Sequence, residues 1–175
     1  LLLNNSLTNE SYFKLSLCTT YVWEDLNFES LSVEKINWLV IHKLIDLNDY
    51  NFKKLKINFP NEHINLIEIN KNEFIAQIDE FVLDEDDILG LLNREFLSNK
   101  EKLVIIIKYV DLDLLQGNIE ITKIVSRTVI SESYDKLDLS KVLALISNNS
   151  SLQDKINIFN LYFNLISRKI ENVQP

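Results

Sequence analysis

Six carboxylates fall within nine residues, at Asp79, Glu80, Asp84, Glu85, Asp86 and Asp87. Oxygen ligands at that density are what a calcium loop requires, together with a Gly at its sixth position for the sharp turn and a Glu at its twelfth. Counted from Asp84, the sixth residue is Leu89 and the twelfth is Glu95, so the pattern breaks at the turn. Carboxylates in the first turn of a helix also face the positive end of its dipole. The run therefore reads as a helix start with a solvated acidic rim. Asp79, Glu80, Asp84, Glu85 and Asp86 are candidate contacts for a protein partner.

Other chemistry is sparse. His42 and His63 are the only histidines and Cys18 is the only cysteine. A zinc site needs about four ligands, and no carboxylate or thiol stands at ligand spacing from either histidine. A nucleophile would have to be Cys18 or a serine, and nothing places one beside a histidine. Walker-type, G-x-S-x-G and H-E-x-x-H patterns are missing. No catalytic, cofactor-binding or metal-binding residue is expected. The preferred reading is a non-catalytic interaction module, and a small all-helical enzyme with a metal or nucleophile pocket is the alternative.

A net charge of −8 disfavours nucleic acid, which needs a basic surface. The only basic run, Lys53, Lys54 and Lys56, reads as the solvated face of a helix. In the interaction reading it forms a second, oppositely charged edge. A lone cysteine suits a reducing compartment. No segment reaches the ~20 apolar residues of a membrane helix, and no signal-peptide pattern is seen. The expectation is a cytoplasmic protein with no membrane span. There is no Met, even at position 1, which is read as a piece excised from a longer polypeptide.

Two Gly and two Pro in 175 residues disfavour sandwiches and Gly-loop folds and favour helices joined by Asn, Ser and Asp turns. Residues 1–31 lack a clear period and carry Tyr12, Phe13, Tyr21, Trp23 and Phe28, an irregular aromatic cap segment. From Ser32 a helical period begins, with Ile36, Leu39, Val40 and Leu44 on one face. Asn48 caps a helix with Phe52, Leu55 and Phe59 inward, although LKINF at 55–59 could be extended. Residues 62–69 form a short helix. Asn70 with Glu73 suggests a capping box, followed by Phe74, Ile78, Phe81 and Val82.

Asp84 caps a helix with Ile88, Leu89, Leu92 and Phe96 on one face. Ser98 with Glu101 forms a capping box before Leu103, Ile106, Ile107 and Val110. Gly117 and Asn118 restart the chain before Ile121, Ile124, Val125 and Thr128. Asp138 starts a helix with Leu139, Val142, Leu143 and Ile146 inward. Ser151 with Asp154 opens the last and longest, with Leu152, Ile156, Phe159, Phe163 and Ile166 on one face and Arg168 and Lys169 in its last turn. Leu92, Leu103, Ile107, Val142, Ile156 and Phe159 are the expected core.

LDEDDILGLL at 83–92 aligns with LDLSKVLALI at 137–146, and SNKEKLVII at 98–106 with SLQDKINIF at 151–159. The fold expected is all-α: stacked antiparallel helix hairpins in a solenoid-like repeat over 32–170. Its units lie near 70–110 and 118–169, and 171–175 is a tail.

LLLNNSLTNESY at 1–12, YVWEDLNF at 21–28, LSVEKINWLV at 31–40, EFIAQIDEFVLDEDDILGLL at 73–92 and the Ser98/Lys102 and Ser151/Lys155 hairpins carry a family likeness. Their order resembles the C-terminal helical region of bacterial YobI-like P-loop NTPases, over most of the chain. The resemblance implies a helical tail that partners an upstream NTPase domain. No nucleotide-binding residue is implied, because no such motif is present.

Overall fold

A computed structural model describes residues 32–41 and 48–171. The aromatic segment at 1–31, with Cys18, lies outside the described residues, as do His42, Leu44 and the tail from 172. The side chains of Val40, Arg168 and Lys169 lie outside them too. All regular structure among the described residues is helical, with eleven α-helices and no strand. The chain divides into two compact units, Leu1–Val82 and Leu83–Pro175.

In the first unit, α1 (Val33–Ile41), α2 (Asp49–Asn58), α3 (His63–Ile69) and α4 (Lys71–Ala76) precede a 3-10 turn at Ile78–Glu80. Asn48 is extended, and its side chain accepts from the Asn51 amide at 2.9 Å, satisfying one of the orphan donors that begin α2. Helix continues through Asn58, so the extended alternative for LKINF does not occur. Pro60 disfavours helical geometry at Phe59, and the chain leaves α2 there. Both α1 and α2 pack on α3. Ile36, Leu39, Leu55, Leu66, Ile67 and Phe74 are buried, and Phe81 meets Phe52 and Phe74 edge-on at 5.9 and 4.8 Å between centroids.

Two expectations fail here for local reasons. Asn70 begins α4 without a side-chain capping bond, because its own backbone is not in the extended geometry a cap needs. Val82 is exposed, since the helix stops at Ala76 and Phe81 is extended, which ends the helical register before Val82.

The second unit contains α5 (Glu85–Leu92), α6 (Asn99–Tyr109), α7 (Leu112–Gly117), α8 (Ile119–Ser131), α9 (Leu139–Asn148), α10 (Leu152–Leu161) and α11 (Phe163–Glu171). Side chains cap the first six: Asp84, Ser98, Asp111, Asn118, Asp138 and Ser151 each accept from the first turn they precede. The caps at Asp84 and Ser98 are full capping boxes, reciprocated by Asp87 and Glu101. α8, the longest helix among the described residues, packs against α5, α6, α7, α9 and α10. Ile121, Val125 and Val129 form its buried face, with Thr122, Ser126 and Thr128.

Both hairpins deliver apolar residues to α8. At corresponding positions Ile88 and Val142, Leu91 and Leu145, and Ile105 and Ile158 are all buried. These contacts establish packed helices gathered about α8.

The apolar faces shift from expectation in two places. In α6 the inward residues are Ile105 and Ile106, with Val110 just beyond its end, while Ile107 is half-exposed and Leu103 only half-buried. A run of consecutive branched residues leaves the face ambiguous by one position, and packing on α8 decides it. The last helix breaks at Tyr162 into α10 and α11, and Ile158 and Tyr162 point inward. Ile156 and Phe159, expected in the core, are outside it, and in α9 Leu145 takes the place expected for Leu143.

Candidate functional site

The acidic run serves first to start α5. Asp87 is buried: its amide donates to Asp84 Oδ1 at 3.1 Å, and the Asp84 amide donates to Asp87 Oδ2 at 3.3 Å. Glu85 Oε1 accepts from Asn118 Nδ2 at 2.8 Å, joining the first turn of α5 to the cap of α8. Asp86 is exposed. Asp79 and Glu80, also exposed, lie on the 3-10 turn of the first unit, whereas Asp84, Glu85 and Asp86 belong to the second. Among the described residues no three His, Cys, Asp or Glu side chains converge on a possible cation position. His63 is buried with its ring 5.4 Å from that of Phe52, in the first unit's core.

The basic run on α2 is engaged locally. Lys53 Nζ stands 2.6 Å from Asp49 Oδ2, one turn back. The other oxygen of Asp49 accepts from the Val82 amide at 2.9 Å. Lys54 Nζ lies 4.4 Å from the Tyr50 ring centroid, a cation–π contact. Lys56 is in the last turn, where a cation complements the helix dipole.

A buried polar seam holds the second unit together. Asn149 Nδ2 donates to Ser126 Oγ at 2.9 Å, Ser126 Oγ to the Thr122 carbonyl at 2.7 Å, and Thr122 Oγ1 to the Leu115 carbonyl at 2.8 Å. Asn148 Nδ2 donates to the same carbonyl at 3.1 Å. The end of α7, whose last carbonyls lack helical partners, is thereby satisfied from α8 and α9. Lys141 Nζ does the same for the carbonyl of Val110, just beyond α6, at 2.6 Å.

Two surface features were not legible as such. One is an apolar stripe along α10 and α11: Leu152, Ile156, Phe159 and Phe163 are 72%, 44%, 43% and 51% exposed. Phe159 and Phe163 stack edge-on at 5.8 Å. The sequence does put these residues on one face; it does not say that the neighbouring face of Ile158 and Tyr162 takes the core. The other is a cleft of about 330 Å3 where the end of α5 and the start of α6 meet α8, with Lys102 and Arg127 in its lining. Lys102 and Arg127 are far apart in sequence, and only the packing of α6 on α8 brings them to one cleft.

No known family model and no solved structure matches the chain. Over 120 residues, 69% of its length, it is 30% identical to a Bacillus subtilis (strain 168) protein named "Uncharacterized membrane protein YobI". It spans only 10% of that protein's length. The likeness to YobI is therefore distant and partial, and nothing in it concerns a P-loop NTPase. The cytoplasmic expectation is corrected by the same match, since the similar protein is a membrane protein. No helix among the described residues is long and apolar enough to cross a membrane.

Proposed function

We propose that the chain is a non-catalytic helical interaction module, built to hold a protein partner or another part of a longer membrane protein that carries an NTPase domain. The carrying observation is the stripe of Leu152, Ile156, Phe159 and Phe163. Contiguous apolar surface left in water is unfavourable, and such patches mark contact sites. The two phenylalanine rings are already stacked, so little side-chain freedom is lost when a partner covers them. The chain's net charge of −8 would favour a basic partner and speed its approach, with an effect that fades as salt rises.

A photo-crosslinking residue placed at Ile156 or Phe159 tests this reading. The stripe should give a discrete crosslinked product in cells, within the parent chain or to one partner, and Phe163→Glu should abolish it. Crosslinking no stronger than from exposed Gln116 on α7 would refute the docking role.

A further inference from the structure

The cleft on α8 offers a chemistry that the apolar stripe does not, and it stands independently of the stripe. α6 and α8 pack on each other, and Asn99 Nδ2 donates to Ser131 Oγ at 2.9 Å across the cleft's lining. With its oxygen accepting that bond, the Ser131 hydroxyl proton is left to donate elsewhere. Lys102 and Arg127 supply two positive charges, Asn93 and Thr128 add further donors, and no acidic residue is in the lining. In a chain of net charge −8 the lining is locally positive.

Two carboxylates stand next to the cleft, and neither lines it. Glu101 accepts from both the amide and the hydroxyl of Ser98, at 2.7 and 2.8 Å. Asp154 Oδ2 stands 4.0 Å from Arg127 Nε, the outer limit of an ion pair. Among the described residues Lys102 forms no ion pair.

We infer that this cleft binds a phosphate group, free or on a monoester, with Lys102 and Arg127 neutralising its charge and Asn93, Asn99, Thr128 and Ser131 as hydrogen-bond donors. A phosphate monoester carries a charge of about −1.5 to −2 at neutral pH and three strong acceptor oxygens, which matches two cations ringed by neutral donors. Lysine acts there as a point charge, and arginine adds its fork of N–H groups.

The labelled chain is titrated with inorganic phosphate, against chloride at equal ionic strength, and followed by amide shifts. Saturable shifts should be confined to Asn93, Asn99, Lys102 and the stretch from Arg127 to Ser131. Lys102→Gln and Arg127→Gln should each weaken binding about tenfold. Lys100→Gln, outside the lining, should bind as the native chain does. Phosphoserine amide is the second probe: tighter binding than phosphate identifies a phosphorylated side chain as the source, and weaker binding a free phosphate. Arg127 is largely exposed, so its variant reports on binding even if Lys102→Gln disturbs folding. Shifts that chloride reproduces, that never saturate, or that survive in the double variant overturn the assignment.

Discussion

The hydroxyl of Tyr162 donates to the backbone carbonyl of Tyr134, 28 positions earlier. Tyr162 is the residue at which α10 gives way to α11, and Tyr134 lies just beyond the end of α8. One buried phenol thus ties the break in the last helical stretch to the end of the central helix. Burial pushes its pKa up beyond the ordinary tyrosine range, and the charges of Tyr134 and Asp135 add to that rise against an opposing backbone hydrogen bond.

Replacing Tyr162 with Phe should cost about 0.5–1.5 kcal/mol at neutral pH, the net worth of one hydrogen bond. The alkaline limb follows from the same group. A phenol whose folded pKa is raised contributes fully below the unfolded value of about 10, and that stability is lost as pH rises from there toward the folded value. Denaturant midpoints of the native chain should fall above about pH 10, and fall less steeply in Tyr162→Phe. Equal slopes would show that Tyr162 does not set the alkaline limit.

Ser133 occupies a glycine position. Its φ is +49°, the Ser133 amide donates to the Ile130 carbonyl and the Tyr134 amide to that of Val129, the paired bonds of a Schellman cap. A left-handed non-glycine residue costs roughly 1–2 kcal/mol, partly offset by the extra unfolded-state freedom of glycine. Ser133→Gly should therefore stabilise the chain by about 0.5–1 kcal/mol in thermal or denaturant unfolding, and Ser133→Val should destabilise it.

Core and stripe leucines should separate cleanly. Leu92 is buried on α5, and Leu92→Ala should cost about 2–5 kcal/mol. Leu152, largely exposed, should change stability by no more than ~0.5 kcal/mol when cut to Ala. Comparable losses at the two sites would mean that the stripe is packed against something within the chain.

Ser126 both accepts from Asn149 and donates to Thr122. Ser126→Ala leaves the buried Asn149 amide without its acceptor and should cost about 1–3 kcal/mol. Asn149 also accepts from the Ser151 amide at 2.9 Å, so Asn149→Ala should cost at least as much. The double variant should cost less than the sum of the two, because the residues share one bond. Strict additivity would refute the seam.

Helix starts were the most legible feature. Asn48, Asp84, Ser98, Asn118, Asp138 and Ser151 all cap where a short polar residue precedes a periodic run, because that signal is local. Asn70 shows its limit: the side chain was suitable, but the chain passes from α3 to α4 with too tight a turn for it to be used. Which face turns inward was legible only where one face alone is apolar, as for Ile121 and Val125. In α6 and α10 two adjacent faces are apolar, and the choice depends on α8, which no local pattern reveals. The helix α7, with its six residues, was too short to show a period at all. The candidate sites were less legible still: the stripe was visible as a face but assigned to the core, and the cleft depends on residues joined only by packing.

The central position of α8 has a consequence for how the second unit is made. Synthesis runs from the N-terminus, so α5 and α6 emerge before the helix that covers them. From Tyr109, where α6 ends, to Ser131, where α8 ends, the ribosome adds 22 residues, roughly one to four seconds of elongation. Throughout that interval Ile105 and Ile106 have no α8 to pack on, and the nascent hairpin depends on its two capping boxes to stay helical. Codon usage or a pause between residues 110 and 131 would lengthen the exposure.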